Sequence, residues 1–161
     1  AHIKVAGISV LGINGIKSRI KIPAYGKYLR RLILENHLEG KVRVLGKLSA
    51  DEMKQEYLSS QIFVCPSAVE NSPNSVAEGQ LLGVPVAASR TGGIPDFVKD
   101  GVSGLLFEKG NVHELAACVS RILTDKQLAK ELSASERETA AKLYNGESNY
   151  QKLIEIYQSI E

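Results

Sequence analysis

Cysteine and histidine are scarce in this chain, and their positions exclude several kinds of site. Cys65 and Cys118 have no disulfide, metal-binding or redox-motif spacing, so we expect two buried thiols in a reducing compartment. The histidines, His2, His37 and His113, are scattered and lack the spacing of metal ligands. We therefore predict that the protein holds no metal ion.

Long apolar runs and strong charge are also missing. No apolar segment approaches the roughly 20 residues that a membrane-spanning helix needs, and no signal peptide opens the chain. There is no Asn-x-Ser/Thr sequon, and the net charge of +2 gives no argument for nucleic acid as a partner. These absences predict a globular cytoplasmic protein that does not bind nucleic acid.

The common cofactor motifs are absent as well. Gly7, Gly12 and Gly15 do not form the dinucleotide-binding fingerprint, and no P-loop lysine motif is present. No arrangement of serine, histidine and aspartate suggests a hydrolase triad. We therefore predict that no cofactor is bound.

What the chain does have is an alternation of apolar runs and amphipathic segments. Strands are predicted near 3–9, 42–45, 62–65, 84–88 and 104–107, and helices over about 25–37, 49–59, 75–82, 111–123, 126–143 and 148–160. Such alternation over 161 residues predicts a single α/β domain with a Rossmann-like open, mostly parallel sheet and helices on both faces. A ligand site is then expected beyond the carboxyl ends of the strands.

Residues 10–24 leave two interpretations open. Asn14-Gly15 is typical of a hairpin turn, and the basic residues Lys17, Arg19 and Lys21 alternate with others after it. If this segment is a strand, it has one basic face. That face either keeps an edge strand soluble or contacts a phosphate, an acceptor or a membrane surface.

The most informative stretch is 65–93, where a strand, a polar loop, a helix, a second strand and a second polar loop follow one another. This is a parallel crossover unit, so its two loops open at the same edge of the sheet. Glu70 lies in the first loop and Glu78 in the first turn of the helix. The free N–H groups of the helix start suit a phosphate, and the flanking carboxylates suit hydroxyl groups. The pattern therefore predicts a nucleotide sugar as ligand.

Glu78 also has a structural interpretation. Residues 75–78, Ser-Val-Ala-Glu, have the sequence of a capping box, in which Glu78 would hold its own helix start. Spacing alone favours capping, because such boxes are common helix openings, whereas the surrounding motif favours ligand binding.

The stretch resembles the donor-binding signature of glycosyltransferase family 4, also called group 1 glycosyl transferases. The matching features are Pro66-Ser67, the pair Glu70 and Glu78 with seven residues between them, Gly83-Val84-Pro85, and the run from Gly92 to Val98. The match extends more loosely along nearly the whole chain. It implies the C-terminal donor-binding half of a retaining enzyme with the two-domain GT-B fold.

The resemblance also implies roles for individual residues. Glu70 is expected to be catalytic, facing the donor sugar and stabilising positive charge as the glycosidic bond breaks, and Glu78 is expected to bind the ribose hydroxyls. Ser72, Asn74 and Ser75 are expected to donate hydrogen bonds to the diphosphate. At Gly92 and Gly93 the backbone is expected to approach the ligand closely. Gly46 and Lys47 are expected to contact the edge of the base.

The chain departs from the family pattern in two ways. Asn71-Ser72 stands where many members have Gly-Phe or Gly-Leu, which puts the identity of the sugar in doubt. The family's first strand-helix unit, which carries an Arg and a Lys that neutralise the diphosphate, has no counterpart here. We therefore expect a fragment that lacks its own N-terminal acceptor domain, folds alone, binds nucleotide weakly and does not catalyse transfer.

The function implied for the parent protein is transfer of a sugar from a UDP- or GDP-sugar to a polysaccharide, lipopolysaccharide or glycolipid. Contact with a membrane surface is expected only through that parent, at the inner face. The alternative is a non-catalytic nucleotide-sugar-binding or interaction module, because the fold alone says nothing of function. Glu70 separates the two, since only an enzyme needs it for turnover.

Overall fold

The structure, a computed structural model, describes residues 2–7 and 24–160, and parallel strands alternate with helices along it. The strands are β1 (Ile3–Ala6), β2 (Val42–Gly46), β3 (Phe63–Cys65), β4 (Val86–Arg90) and β5 (Leu105–Glu108). The helices are α1 (Ala24–Glu35), α2 (Ala50–Leu58), α3 (Asn74–Leu82), α4 (Ile94–Phe97), α5 (Val112–Thr124), α6 (Lys126–Leu143) and α7 (Gly146–Gln158). The predicted α/β class is confirmed.

The chain divides into two compact units, Ala1–Glu56 and Tyr57–Glu161. In the first unit, β1 pairs with β2 in parallel, and Ser49 opens α2 in a capping box with Glu52. The backbone N–H of Ser49 donates to the Glu52 carboxylate at 2.8 Å, and this hydrogen bond lowers the pKa of Glu52. The predicted hairpin and basic strand lie outside the described residues, and the single-domain organisation remains a prediction.

The second unit is built on a three-stranded parallel sheet of order β3-β4-β5. Strand β4 is buried on both faces, so its small side chains alternate between two cores. Val86 and Ala88 pack with residues of α3 and α4, while Ala87 packs with residues of α5 and α6. The prediction of helices on both faces of a parallel sheet is thereby confirmed for this unit.

Two helices end or begin at residue types that are typical of those positions. Asn111 caps α5, and its side-chain oxygen accepts the N–H of Glu114 at 3.2 Å. Gly83 ends α3 in the left-handed conformation, with φ of 69°. The short helix α4 was not predicted; its four residues fall in a segment that reads as a turn after the glycine pair.

One buried carboxyl joins α6 to the sheet. Glu136 is 0% exposed, and its Oε1 accepts the N–H of Val86 at 2.9 Å at the start of β4. Burial raises the pKa of Glu136 to about 8, and the hydrogen bond from Val86 offsets part of that rise. Its Oε2 has no hydrogen-bond partner among the described residues. The raised pKa of Glu136 favours the protonated, neutral carboxyl at neutral pH.

Candidate functional site

Two loops meet at the carboxyl edge of the second unit's sheet. The first loop, residues 66–73, follows β3, and the second loop, residues 91–93, follows β4. Ser89, the last buried residue of β4, donates its hydroxyl to the carbonyl of Ser67 at 2.6 Å. The parallel crossover therefore brings the two polar loops together, as the sequence predicts.

The glycine pair of the second loop lies directly against the first loop. The N–H of Gly93 donates to the carbonyl of Glu70 at 3.3 Å. A Cβ added to Gly92 would lie 1.6 Å from that same carbonyl oxygen, and one added to Gly93 would lie 2.0 Å from the carbonyl oxygen of Asn71. The close approach seen in the structure is thus between the two loops, and approach to a ligand remains a prediction.

Glu70 is half-buried in the middle of the first loop, and a neighbouring side chain orients it. The hydroxyl of Ser67 donates to Glu70 Oε1 at 2.8 Å, and the Cys65 thiol lies 3.6 Å from the same hydroxyl. The second carboxylate oxygen, Oε2, remains available as an acceptor in the described part of the chain. Sequence reasoning quoted Ser67 in the motif but gave it no role.

The start of α3 has unused backbone donors. Its N-cap residue is Pro73, which makes no side-chain cap. Val76 and Ala77 both donate their N–H groups to the carbonyl of Pro73, at 3.0 and 3.2 Å. Across the described ranges, the N–H groups of Asn74 and Ser75 have no acceptor. A helix start of this kind carries about half a positive charge and attracts anions.

The capping-box interpretation of Glu78 is wrong. The helix begins at Asn74 with Pro73 as its N-cap, so Ser75 lies inside the helix and is not the cap. Glu78 is exposed in the second turn of α3, so its side chain does not cap the helix and is accessible to a ligand.

A buried tyrosine that sequence reasoning missed lies beside the start of α3. Tyr57 is 3% exposed at the end of α2, and its hydroxyl donates to the carbonyl of Ser75 at 3.0 Å. Burial, then the charge of Glu78 and a hydrogen bond to the Glu78 carboxylate, raise the pKa of Tyr57 well above its ordinary value. The only sequence signal was its position on the apolar side of α2.

The other predicted site residues have simple placements. Ser72 is exposed in the first loop, close in sequence to the free N–H groups of α3. Gly46 and Lys47 lie at the end of β2 in the first unit, and their contact with a base edge remains a prediction. Within 2–7 and 24–160, no cluster of three or more His, Cys, Asp or Glu side chains is arranged to hold a metal ion. In the same ranges, no helix is both long enough and apolar enough to cross a membrane.

Residues 7–139 match the family model for glycosyl transferases, group 1. The chain belongs to the group 1 glycosyl transferases. It is 35% identical over 100 residues to the sulfoquinovosyl transferase of Arabidopsis thaliana, covering 60% of this chain and 20% of that protein. It is 27% identical over 165 residues to an uncharacterized glycosyltransferase of Methanocaldococcus jannaschii, covering 99% of this chain and 46% of that protein.

The fold of this group 1 glycosyl transferase is similar to GT-B glycosyltransferase structures. The crystal structure of HepE from Anabaena, in complex with UDP and glucose, superimposes with a TM-score of 0.82 at 24% sequence identity. The superposition covers 98% of this chain and 40% of HepE. The chain spans less than half the length of these relatives.

Proposed function

We propose that the chain is the donor-binding part of a retaining glycosyltransferase of family 4 that moves a sugar from a nucleoside-diphosphate sugar to an acceptor. The observation that carries the proposal is the start of α3, whose free N–H groups belong to Asn74 and Ser75 and which Glu70 and Glu78 flank along the chain. An anion at the helix start with hydroxyl groups on both sides has the chemistry of a nucleotide sugar.

The diphosphate is placed at the helix start. The N–H groups of Asn74 and Ser75 donate to its oxygens, and the helix dipole favours its negative charge. Ser72 adds an exposed hydroxyl from the first loop. These donors stabilise the nucleoside diphosphate more as it leaves, because charge grows on its oxygens when the bond to the sugar breaks.

Glu78 and Glu70 bind opposite ends of the donor, the ribose and the transferred sugar. Glu78 accepts hydrogen bonds from the ribose hydroxyls, and Glu70 accepts hydrogen bonds from the hydroxyls of the sugar. The negative charge of Glu70, oriented by Ser67, stabilises the positive charge that develops at the anomeric carbon. The acceptor oxygen then bonds to that carbon from the face that the diphosphate leaves, and its proton passes to the departing phosphate oxygen.

We also propose the acceptor class, the cellular location and the domain organisation. The acceptor is a polysaccharide, a lipopolysaccharide or a glycolipid, and the protein is cytoplasmic with any membrane contact made outside this chain. The chain acts as the C-terminal domain of a longer protein, whose N-terminal domain binds the acceptor, and does not catalyse transfer alone. HepE was solved with UDP and glucose, so UDP is the first nucleotide to test.

The function is tested by replacing Glu70 with glutamine in the longer protein that contains this chain. Glutamine keeps the size of the side chain and its hydrogen bond from Ser67 but removes the negative charge. We expect the rate of sugar transfer from a nucleotide sugar to fall at least about 100-fold, because loss of one group that stabilises developing charge has effects of that order. Nucleotide affinity should change by less than about threefold, since Glu70 faces the sugar.

Glu131→Gln is the matched control, because Glu131 is an exposed carboxylate on α6 that has no place in the site. It should leave the transfer rate unchanged. Full turnover by Glu70→Gln, with the nucleotide still bound, would contradict the enzymatic role and favour a binding module.

A further inference from the structure

Ser67 lies near the start of the first loop, and its backbone is held from β4 and from the second loop. Its carbonyl accepts the hydroxyl of Ser89 at 2.6 Å, and Ser89 is only 1% exposed. The next carbonyl, that of Ala68, accepts the hydroxyl of Thr91 at 3.2 Å. Two side-chain hydroxyls therefore fix the backbone at Ser67, and neither of these hydrogen bonds involves Glu70.

The hydroxyl of Ser67 has two polar neighbours, and one arrangement of protons suits both of them. Glu70 Oε1 lies 2.8 Å from Ser67 Oγ, and Cys65 Sγ lies 3.6 Å from the same oxygen. An ionised carboxylate can only accept hydrogen bonds, so the single hydroxyl proton of Ser67 points to Glu70. The buried thiol of Cys65 is then a weak donor to Ser67 Oγ. The hydroxyl of Ser67 is thereby fixed as a donor to the carboxylate.

We propose that Ser67 is a positioning residue for sugar transfer, whose hydroxyl occupies Oε1 of Glu70 and so directs Oε2 to the donor sugar. Within 2–7 and 24–160, Glu70 Oε2 accepts no hydrogen bond, so it is the oxygen that a ligand can use. This inference rests on the proposed function. Ser67 acts through Glu70 and does not itself contact the sugar.

The physical reason is that Glu70 has a fixed backbone and a long, flexible side chain. The N–H of Gly93 donates to the Glu70 carbonyl at 3.3 Å, which holds the main chain. Val69, the preceding residue, is 85% exposed, so the loop is open to solvent at this point. Without the hydrogen bond from Ser67, the carboxylate would sample several rotamers, and that freedom would have to be lost in the transition state. A hydrogen bond to a charged acceptor is strong enough to select one rotamer.

Ser67→Ala removes the hydroxyl, and its effect is measured in the longer protein that contains this chain. We expect kcat for sugar transfer to fall about 10- to 50-fold, the effect expected from losing a hydrogen bond to a charged group. KM for the nucleotide sugar and the affinity for the nucleoside diphosphate should each change less than about threefold, because the start of α3 and Glu78 bind the nucleotide. A merely structural role would not separate kcat from KM in this way.

Ser67→Thr and Ser67→Val form a matched pair, because the two new side chains have nearly the same shape and only threonine has a hydroxyl. Ser67→Thr should keep kcat within about threefold of the wild type, and Ser67→Val should lose as much as Ser67→Ala. Overpacking by the larger side chains affects both variants alike. The ratio of their kcat values therefore measures the hydroxyl alone, even if both variants are less stable than the wild type.

A double substitution tests whether Ser67 acts through Glu70. In the Glu70→Gln background, Ser67→Ala should lower kcat by less than a further factor of about two, because the charge that Ser67 orients is already gone.

Ser133→Ala is the control for loss of a hydroxyl elsewhere in the fold. Ser133 is half-buried, and its hydroxyl donates to the carbonyl of Gly83 at 2.7 Å, beyond the other end of α3. This variant loses a hydrogen bond that has no connection to Glu70. It should lower the thermal unfolding temperature as much as Ser67→Ala does, and it should leave kcat unchanged.

The outcomes separate the inference from the function on which it rests. If Ser67→Thr and Ser67→Val have the same kcat, or if Ser67→Ala lowers kcat equally with and without Glu70→Gln, Ser67 only holds the loop and the inference is wrong. A loss of nucleotide affinity as large as the loss of kcat would overturn it as well. If Glu70→Gln itself transfers sugar at the wild-type rate, the proposed function fails.

Discussion

Gly92→Ala is expected to be among the most damaging single substitutions in this chain. The added Cβ would lie 1.6 Å from the carbonyl oxygen of Glu70 and 2.8 Å from its carbonyl carbon. Those are backbone atoms, so no side-chain rotation relieves the contact and the two loops must separate. Gly92 also has φ of +51°, a left-handed conformation that costs alanine about 1–2 kcal/mol.

The expected result has two parts. The free energy of unfolding should fall by about 1–3 kcal/mol more than the left-handed strain explains, which is typical of overpacking. Nucleotide affinity should fall at least about tenfold, because a displacement of the first loop moves Glu70 and the start of α3 away from their binding positions. Urea unfolding and titration calorimetry measure the two quantities.

Gly101→Ala is the control that separates the cost of the left-handed backbone from the cost of the steric clash between the loops. Gly101 has φ of +74°, but a Cβ added there meets nothing within 4 Å. It should therefore show the cost of the left-handed conformation alone and bind nucleotide normally. Equal losses of stability in the two alanine variants would show that the contact between the loops is not rigid, contrary to our interpretation of the glycine pair.

Glu136→Gln should make the protein more stable at neutral pH. It should also remove most of the change in the free energy of unfolding with pH that Glu136 causes. Burial raises the pKa of Glu136 to about 8, whereas in the unfolded chain the carboxyl titrates near its ordinary value of 4.5. Between these two values the folded state keeps a proton that the unfolded state has released. Stability therefore falls as pH rises through this window, by about 1.4 kcal/mol per pH unit, and the contribution is fully present only below the lower value.

Glutamine has no proton to lose, and its amide oxygen can still accept the N–H of Val86. We expect the wild type to lose on the order of 3 kcal/mol between pH 4.5 and pH 7 from this group, and Glu136→Gln to lose almost none of it. Urea unfolding at a series of pH values measures the difference.

Glu138→Gln is the control, because Glu138 is exposed on the same helix and pairs with Lys142. That contact lowers the pKa of Glu138, so any contribution it makes is lost as pH falls, in the opposite direction. If the free energy of unfolding changes with pH in the same way in the wild type and in Glu136→Gln, the Glu136 carboxyl is not neutral in the folded protein and our interpretation is wrong.

The sequence predicted the features that depend on neighbouring residues. The small apolar run of β4, the glycine that ends α3 and the asparagine that caps α5 each have a local physical cause. The two loops at one edge of the sheet followed from the parallel direction of the strands that the crossover connects. Glu70 and Glu78 were proposed from a motif that lies within a single supersecondary unit.

Features that depend on distant residues were not predicted. Tyr57 reaches Ser75 from another helix, and Glu136 reaches Val86 across 50 positions of the chain. Nothing in the composition of α2 or α6 marks either residue as a partner, because such contacts arise only from tertiary packing. The capping interpretation of Glu78 was wrong because the N-cap of α3 is Pro73, two residues before Ser75, which the motif suggests as the cap.

The most direct test is to titrate the ¹⁵N-labelled chain with UDP, GDP and ADP and to follow every backbone amide by NMR, in the wild type and in Glu78→Ala. If the start of α3 holds a nucleoside diphosphate, one nucleotide will produce its largest saturable shifts at the N–H groups of Asn74 and Ser75, and Glu78→Ala will abolish them or weaken the affinity strongly. Saturable shifts confined to other parts of the chain, or shifts at Asn74 and Ser75 that Glu78→Ala leaves unchanged, would contradict the proposed site.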